Sequence, residues 1–272
     1  MTLNFDPNHS FATFPPELIQ HIFSYLDDSE LEKCRQVCKQ WQELGSDEIF
    51  LKTRYSEPDE AFGLKKWETL IGKVEQVPHL HSEIKKILES PCPIHEGKNI
   101  KDTHILFYNP KQVNGQPHTI NNIEKLISRY GTGYGMFWKQ GRDEHGDTPN
   151  KKGEWILMTR DILPESGNKT YTEQQILIEN LSKKAQIEYQ APKLIEAITG
   201  IFIEFVNSRT RLYPANSWTT TCCQEPVYDM IGNKIQSAVG NFSGPLDFLL
   251  PGLNITGVVV CPYAGIGAVR KF

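Results

Sequence analysis

The stretch FPPELIQHIFSYL at residues 14–26, together with VCKQWQEL at residues 37–44, decides how the N-terminal part of this chain folds. Pro15 and Pro16 stand where a helix would begin, and proline is tolerated in a first turn because its missing N–H would have no partner there. The apolar residues behind them recur at helical spacing: Leu18, Ile19, Ile22, Phe23 and Leu26. The stretch therefore predicts a short amphipathic helix.

Further short helices are predicted after this one. Residues 27–29 offer N-cap oxygens to a second helix, which holds Leu31. Gly45 stands where the C-terminal cap of a third helix is expected, and residues 46–47 can cap a fourth. The third helix has an apolar stripe of its own: Cys34, Val37, Cys38, Trp41 and Leu44. The segment is thus predicted to hold three or four short helices.

A bundle of this size has little interior, because small domains bury a low fraction of their surface. Two apolar stripes and a tryptophan exceed what such an interior can hold. Surplus apolar surface on a small helical module usually marks an interface with another protein. We therefore expect this segment to bind a partner.

The order of these residues resembles the F-box family. The resemblance rests on Phe14-Pro15-x-Glu17-Leu18, Ile22-Phe23, Leu26, Leu31 and Val37-Cys38-Lys39-x-Trp41-x-x-Leu44, and Phe14 stands where the family most often has leucine. It covers about a sixth of the 272 residues. The resemblance implies that the chain binds a Skp-family adaptor, that the adaptor docks on a cullin scaffold, and that the chain presents a target protein to a cullin-RING (SCF-type) ubiquitin ligase.

The resemblance also implies which residues contact the adaptor. Those expected to face it are Phe14, Pro15, Leu18, Ile22, Phe23 and Leu26. Those expected to be shared between the interface and the packing of the module itself are Leu31, Val37, Cys38 and Trp41. No catalytic residue, metal or cofactor comes with the resemblance.

The fold class expected for the whole chain is α+β, divided into four parts. Residues 1–13 are expected to be a disordered tail, and residues 14–55 the F-box. Residues 56–102 are read as a helical connector with helices over residues 61–77 and 80–88. Since the connector is not rich in Gly and Ser, we expect it to be rigid. Residues 103–272 are read as a mixed α+β domain that recognises the target.

This last region is expected to have helices in its middle and antiparallel strands near its end. Strands are predicted at residues 105–108, 155–158, 218–223, 235–242 and 253–261. Helices are predicted at residues 120–130, 172–189 and 192–206. No leucine-rich, WD-propeller or kelch periodicity is present. The sequence therefore leaves the identity of the target open.

Composition narrows the class of protein. The formal net charge is −4, which does not point to nucleic-acid binding. No apolar run approaches the roughly 18 residues of a membrane span, and no secretory signal is visible. The six cysteines are not arranged as a secreted disulfide framework. We therefore expect a protein of the cytosol, with no membrane and no nucleic-acid partner.

A second resemblance concerns the C-terminal region. The segments Trp155-x-Leu157-Met158-Thr159, Asn168-Lys169-Thr170-Tyr171 and Trp218-Thr219-x-Thr221-x-Cys223-Gln224 are similar to C-terminal regions of F-box proteins from chlamydia-related bacteria that live in amoebae. That resemblance implies a bacterial effector acting in the host cytosol. It brings no biochemical activity with it.

Three local patterns in the sequence are typical of phosphate-binding, metal-binding or reactive-cysteine sites. The glycine-rich residues 131–135 favour a turn over a phosphate-binding loop, because they follow a helix rather than a strand. Cys92 and His95 form half of a zinc site, with His79, His81 and His104 as the nearest further ligands; an ordinary loop is favoured. Cys222 and Cys223 in a strand are expected to point to opposite faces, one buried and one exposed.

Three functions remain open on the sequence. The favoured one is a binding protein, an F-box joined to a recognition domain. The second makes the C-terminal region a hydrolase-like enzyme, with Cys223 or Cys261 as nucleophile and His118 or His145 as base. The third is an interaction protein that binds the adaptor without supporting ubiquitination.

Overall fold

A computed structural model of the chain describes residues 14–26, 28–54, 56–80, 83–130, 144–213, 219–229, 231–243, 252–258 and 260–272. The chain divides into two compact units. Unit 1 consists of residues up to Pro58 together with His79–Ile87, and unit 2 of Asp59–Pro78 together with Leu88–Phe272. The predicted tail, residues 1–13, lies outside the described residues. The segment predicted as a connector is shared between the two units.

Unit 1 is built from the short helices that the sequence predicts. They are α1 (Pro16–Phe23), α2 (Asp28–Arg35), α3 (Lys39–Gly45) and α4 (Glu48–Arg54). Pro16 lies in the first turn of α1, where no intrahelical acceptor waits for its nitrogen. The helices pack on a small core of Ile19, Phe23, Leu31 and Phe50, against which Trp41 is partly buried.

Two arginines fasten the ends of these helices. The guanidinium of Arg54 donates to the carbonyl oxygen of Phe23, the last residue of α1 (2.8 Å), and to that of Leu26 in the turn that follows (2.7 Å). Arg35 donates from Nε (3.0 Å) and Nη2 (2.6 Å) to the carbonyl of Gly45 at the end of α3. Each arginine satisfies carbonyls that a helix end leaves without an intrahelical donor. Gly45 is the last residue of α3, whereas the sequence predicted it as the cap after the helix. A side chain at this position would crowd Arg35, because a Cβ would lie 3.0 Å from Arg35 Cγ.

The first connector helix is shorter than predicted. Helix α5 covers Leu64–Leu70 rather than residues 61–77, and α6 covers Ile84–Glu89. Beyond α5 the backbone pairs with a β-hairpin made of β2 (Gln112–Val113) and β3 (Gln116–Pro117). Val74 bridges Val113, and the N–H of Asn114 donates to Lys73 at 2.7 Å. Pairing with a hairpin distant in sequence thus replaces the last helical turns.

Unit 2 has two main sheets that confirm the predicted α+β class. The first joins β1 (His104–Asn109), β4 (Glu154–Thr159) and β9 (Val269–Lys271) in that order, all antiparallel. The second contains β5 (Thr220–Tyr228), β6 (Lys234–Ser243), β7 (Gly252–Val258) and β8 (Ala264–Gly265). Its order is β7-β6-β5-β8, and only the short β5–β8 pair is parallel.

Helices cover both faces of the second sheet. The helices of unit 2 after α6 are α7 (Ile100–Thr103), α8 (Ile120–Ile127), α9 (Tyr171–Ala185) and α10 (Leu194–Ser208). Helix α10 is buried along nearly its whole length and packs against α8, β1, β5 and β6. Ile178 and Leu181 of α9 join a separate apolar cluster that includes Cys222 of β5. The helix predicted at residues 192–206 thus lies at the centre of the core.

This double cover corrects one expectation. Cys222 and Cys223 were expected to be one buried and one exposed, but they are 3% and 0% exposed. Adjacent residues of β5 do point to opposite faces. Cys222 lies in the cluster of α9, whereas Cys223 lies on the α10 side, near Glu196. Both are buried because the sheet has helices on each side.

The ends of α10 and the first sheet are joined through buried charges. Lys271 of β9 lies 3.4 Å from Glu154 Oε1 of β4 and 2.5 Å from Glu196 Oε1 of α10. Glu196 is only 1% exposed. Farther along α10, Glu204 Oε1 lies 2.5 Å from Nη1 of Arg160, the residue that follows β4.

No helix among the described residues is both long and apolar enough to cross a bilayer.

Candidate functional site

Helix α1 has two apolar faces, and only one of them packs inside unit 1. Ile19 and Phe23 are 2% and 1% exposed. Outside the core lie Phe14 before α1, Leu18 and Ile22 on its other face, and Tyr25 after its last residue; they are 40, 41, 47 and 62% exposed, and we name them the α1 stripe. Leu18 and Ile22, four residues apart in α1, are neighbours on the helix surface and form an apolar row. The row is apolar surface that unit 1 does not bury.

The turn between α2 and α3 adds to the exposed apolar surface of unit 1. Val37 is 62% exposed. Cys38, also exposed, is the N-cap residue of α3. Pro15, which precedes α1, is exposed as well. Of the ten residues that the resemblance assigns to the adaptor, six therefore lie on the surface: Phe14, Pro15, Leu18, Ile22, Val37 and Cys38.

The other four predicted residues belong wholly or partly to the core. Phe23, expected to face the adaptor, packs edge-on against Trp41 (ring centroids 5.6 Å apart) and Phe50 (6.3 Å). Leu31, expected to be shared, is 1% exposed, and Leu26 and Trp41 are half-buried. Phe23 follows Ile19 by one helical turn, so the two share the inward face. Its place is in the core of unit 1 rather than on the surface.

Tyr25 is a residue of this surface that the sequence interpretation missed. Its ring stands edge-on to His21 at 5.1 Å, and Lys86 Nζ lies 5.7 Å from the ring centroid. The signal that could have identified it is spacing: Tyr25 follows Leu18 by seven residues, two helical turns. Tyrosine is enriched at protein interfaces, because its apolar ring ends in a hydroxyl.

Unit 2 contains a pocket of about 290 Å³ where α10 begins, which we name the α10 pocket. Buried apolar residues form part of its wall: Ile120, Leu194 and Ile195. Exposed Lys151, Lys152 and Lys193 also line it. Glu154 and Glu225 are the acidic residues in its lining. The α10 pocket therefore combines an apolar wall with charged groups of both signs.

The two carboxylates of the α10 pocket are already engaged. Glu225 Oε2 accepts from the N–H of Leu194 at 2.8 Å, in the first turn of α10. Burial raises the pKa of Glu225, although this hydrogen bond opposes the effect. Glu154 lies between Lys271 (3.4 Å) and Lys152 (3.6 Å). In the described part of the chain, no carboxylate lies within ion-pair distance of the ammonium groups of Lys151 or Lys193.

Among the described residues, no hydrogen bond joins Cys223 or Cys261 to His118 or His145. Cys223 is fully buried, and burial raises the pKa of its thiol well above the ordinary value. His118 Nε2 lies 2.8 Å from Thr199 Oγ1, and His145 Nε2 lies 2.8 Å from the carbonyl of Pro226. A nucleophilic cysteine needs a lowered pKa or an adjacent base. Cys223 has the opposite environment.

The half zinc site is a turn in this structure. Cys92 Sγ accepts from the N–H groups of Ile94 and His95, both at 3.4 Å. Within the described ranges, no three residues of the ligand types His, Cys, Asp and Glu are placed to hold a metal ion together.

The glycine-rich residues 131–135, predicted from the sequence to form a turn, lie outside the described residues.

Comparison with known proteins bears on the N-terminal part alone. The F-box-like family matches residues 11–57, which include all of α1 to α4. No curated protein and no solved structure matches the chain. The resemblance of the C-terminal region to proteins of amoeba-dwelling bacteria therefore gains no support and stays a prediction.

The match agrees with the geometry of unit 1. F-box-like domains generally bind Skp-type adaptors within ubiquitin-ligase complexes, which fits a four-helix module with an uncovered apolar face. The match supports a general role of this chain as an F-box adaptor protein. Residues 11–57 of this chain form an F-box-like domain.

Proposed function

We propose that this protein is a substrate adaptor that binds a Skp-family adaptor through unit 1 and recruits a target protein through unit 2 to a cullin-RING ubiquitin ligase. The observation that carries the proposal is the α1 stripe, an apolar row left uncovered in a domain that matches the F-box-like family. Covering such a row with a partner removes apolar area from water, which favours binding by about 25 cal/mol per Å² before the costs of association.

In this proposal the contact residues are those on the surface. The α1 stripe, Pro15, Val37 and Cys38 contact the adaptor, whereas Phe23, Leu31 and part of Trp41 hold the domain together. Unit 2 binds its target and does not catalyse a reaction on it. The buried Cys223 thiol, whose pKa is raised by burial, supports this part of the proposal. The work takes place in the cytosol, where a cullin scaffold is found.

The test is co-purification of the full chain with a Skp-family adaptor. The Leu18→Asp/Ile22→Asp variant should lose the complex, because each aspartate would place a charge in the apolar interface at a position 41% or 47% exposed in the free chain. Truncating Trp41 is a poorer test, because its ring packs on Phe23. The matched control is Ile176→Asp in α9, a site 49% exposed in unit 2.

Circular dichroism should show unchanged helix content in both variants. If the wild-type chain does not bind the adaptor, or if the double variant binds as well as wild type, the proposal is wrong. Recovery of the adaptor without a cullin would instead support the interaction protein that does not act in a ligase.

A further inference from the structure

The α10 pocket has the size of a site for one small group. Its volume of about 290 Å³ lies just below the range of roughly 300–1,000 Å³ for ligand pockets. Such a space fits a single residue better than a long peptide segment. Ile120, Leu194 and Ile195, all nine-tenths buried or more, offer an apolar wall to a side chain.

The unbalanced charge of the α10 pocket is positive. Glu154 is held by Lys271 and Lys152, and Glu225 by the N–H of Leu194. The ammonium groups of Lys151 and Lys193 have no carboxylate within 4 Å among the described residues. Since both lysines line the pocket, a ligand that carries an anionic group would find two cations that no acidic side chain of the described residues neutralises.

The backbone at the start of α10 also favours an anionic ligand. The first N–H groups of a helix have no intrahelical acceptor, and the helix dipole adds a partial positive charge there. Within α10, Glu225 Oε2 accepts from the N–H of Leu194, and Ile195, the next residue, also lines the pocket. An anion beside Ile195 would therefore meet a backbone donor as well as the two lysines.

We propose that the α10 pocket binds an α-carboxylate attached to an apolar side chain, the group found at the C-terminus of a peptide that ends in an apolar residue. The carboxylate lies between Lys151, Lys193 and the start of α10, and the side chain packs on Leu194 and Ile120. This inference rests on the proposed role of unit 2 in target recognition and names the part of the target that it binds. A free apolar amino acid carries the same group.

The experiment measures fluorescence anisotropy of labelled peptides with the full chain. The probe is fluorescein-Gly-Ser-Gly-Ser-Gly-Leu with a free C-terminal carboxylate, and its partner is the same peptide with a C-terminal amide. We expect the amide to bind at least tenfold more weakly. We also expect the Lys151→Glu/Lys193→Glu variant to bind the carboxylate probe at least tenfold more weakly than wild type. Unlabelled leucine, added as a competitor, should displace the probe poorly.

The matched control is Lys65→Glu/Lys183→Glu, which makes the same change of charge at exposed sites on α5 and α9. It should bind the carboxylate probe as wild type does. Equal affinity for carboxylate and amide, no binding of either, or an equal loss in the control would overturn the inference. Displacement by leucine at the concentration that unlabelled peptide requires would also overturn it, because the ligand would then be a free amino acid.

The two proposals can fail separately. If the α10 pocket does not take the peptide end, the chain and its Lys151→Glu/Lys193→Glu variant still co-purify with the Skp-family adaptor. If the adaptor does not bind, the ligase role fails whatever the peptides do.

Discussion

At the scale of single residues, two buried histidines of unit 2 contribute to the response of the fold to pH. His118 Nε2 lies 2.8 Å from Thr199 Oγ1, and His104 Nδ1 lies 2.9 Å from Thr103 Oγ1. Burial lowers the pKa of His118 to about 3 and that of His104 to about 4. Both rings are therefore neutral in the folded protein at neutral pH.

We predict that unit 2 loses stability as the pH falls from about 6.5 toward 4. In the unfolded chain both histidines take up protons near pH 6.5, whereas the folded chain does not. The stabilisation is complete above pH 6.5 and falls by about 1.4 kcal/mol per pH unit for each histidine. Urea unfolding between pH 6.5 and 4.5, followed by the fluorescence of buried Trp67 and Trp155, measures this slope.

A His118→Gln variant separates the contribution of one ring. Its slope should be smaller than that of wild type by about 1.4 kcal/mol per pH unit. Exposed His79→Gln is the control and should keep the wild-type slope. An unchanged slope in His118→Gln would show that this ring does not titrate differently on unfolding.

At the scale of elements, the ends of the short helices depend on side chains from other helices. A helix of eight residues such as α1 leaves half of its carbonyls without an intrahelical donor, and isolated helices of this length are unstable in water. Arg54 of α4 supplies donors to the carbonyl of Phe23 at the end of α1 and to that of Leu26 in the turn after it. The α1 stripe is thus held in place partly by a residue 28 positions after Leu26.

We predict that Arg54→Met destabilises unit 1 by about 2–4 kcal/mol. Methionine keeps an unbranched apolar stem but removes the charged donors, and hydrogen bonds to charged groups contribute roughly 1.5–3 kcal/mol each. Hydrogen–deuterium exchange of peptides covering residues 16–26 measures the effect directly. The control is Lys33→Met, at an exposed position of α2, which should exchange as wild type does. Wild-type protection of residues 16–26 in Arg54→Met would contradict the role of this contact.

At the scale of the molecule, the last strand completes unit 2. Strand β9 pairs with β4, and Lys271 Nζ contacts Glu154 of β4 and Glu196 of α10. A buried charge that loses its partner is costly, because it has left water without compensation. The C-terminal residues therefore help to hold α10 against the first sheet.

We predict that Lys271→Met destabilises unit 2 by about 3–5 kcal/mol. The double variant Lys271→Met/Glu196→Leu should recover most of this loss, because it removes the unpaired carboxylate as well. Urea midpoints of wild type and of both variants test the idea, with Lys183→Met as the surface control. A double variant no more stable than Lys271→Met would show that lost packing, not the unpaired charge, sets the cost.

Several elements could be read from the sequence because their determinants are local. The helical pattern of residues 192–206 predicts α10, and the strand-like residues 105–108 and 155–158 lie in β1 and β4. The surplus of apolar residues on α1 is likewise visible in their spacing. The end of α5 could not be read, because Val74 pairs with Val113, a hairpin residue far along the chain.

The sequence by itself determined the F-box-like domain and the α+β class, because helix spacing, proline position and strand patterns act between near neighbours. Only the tertiary structure decided which apolar residues of unit 1 are surface and which are core, for example Leu18 against Phe23. It also decided that Cys222 and Cys223 are both buried, and that lysines from residues 151–152 and 193 line one pocket. Burial and pocket charge depend on contacts between distant segments, which no local pattern specifies.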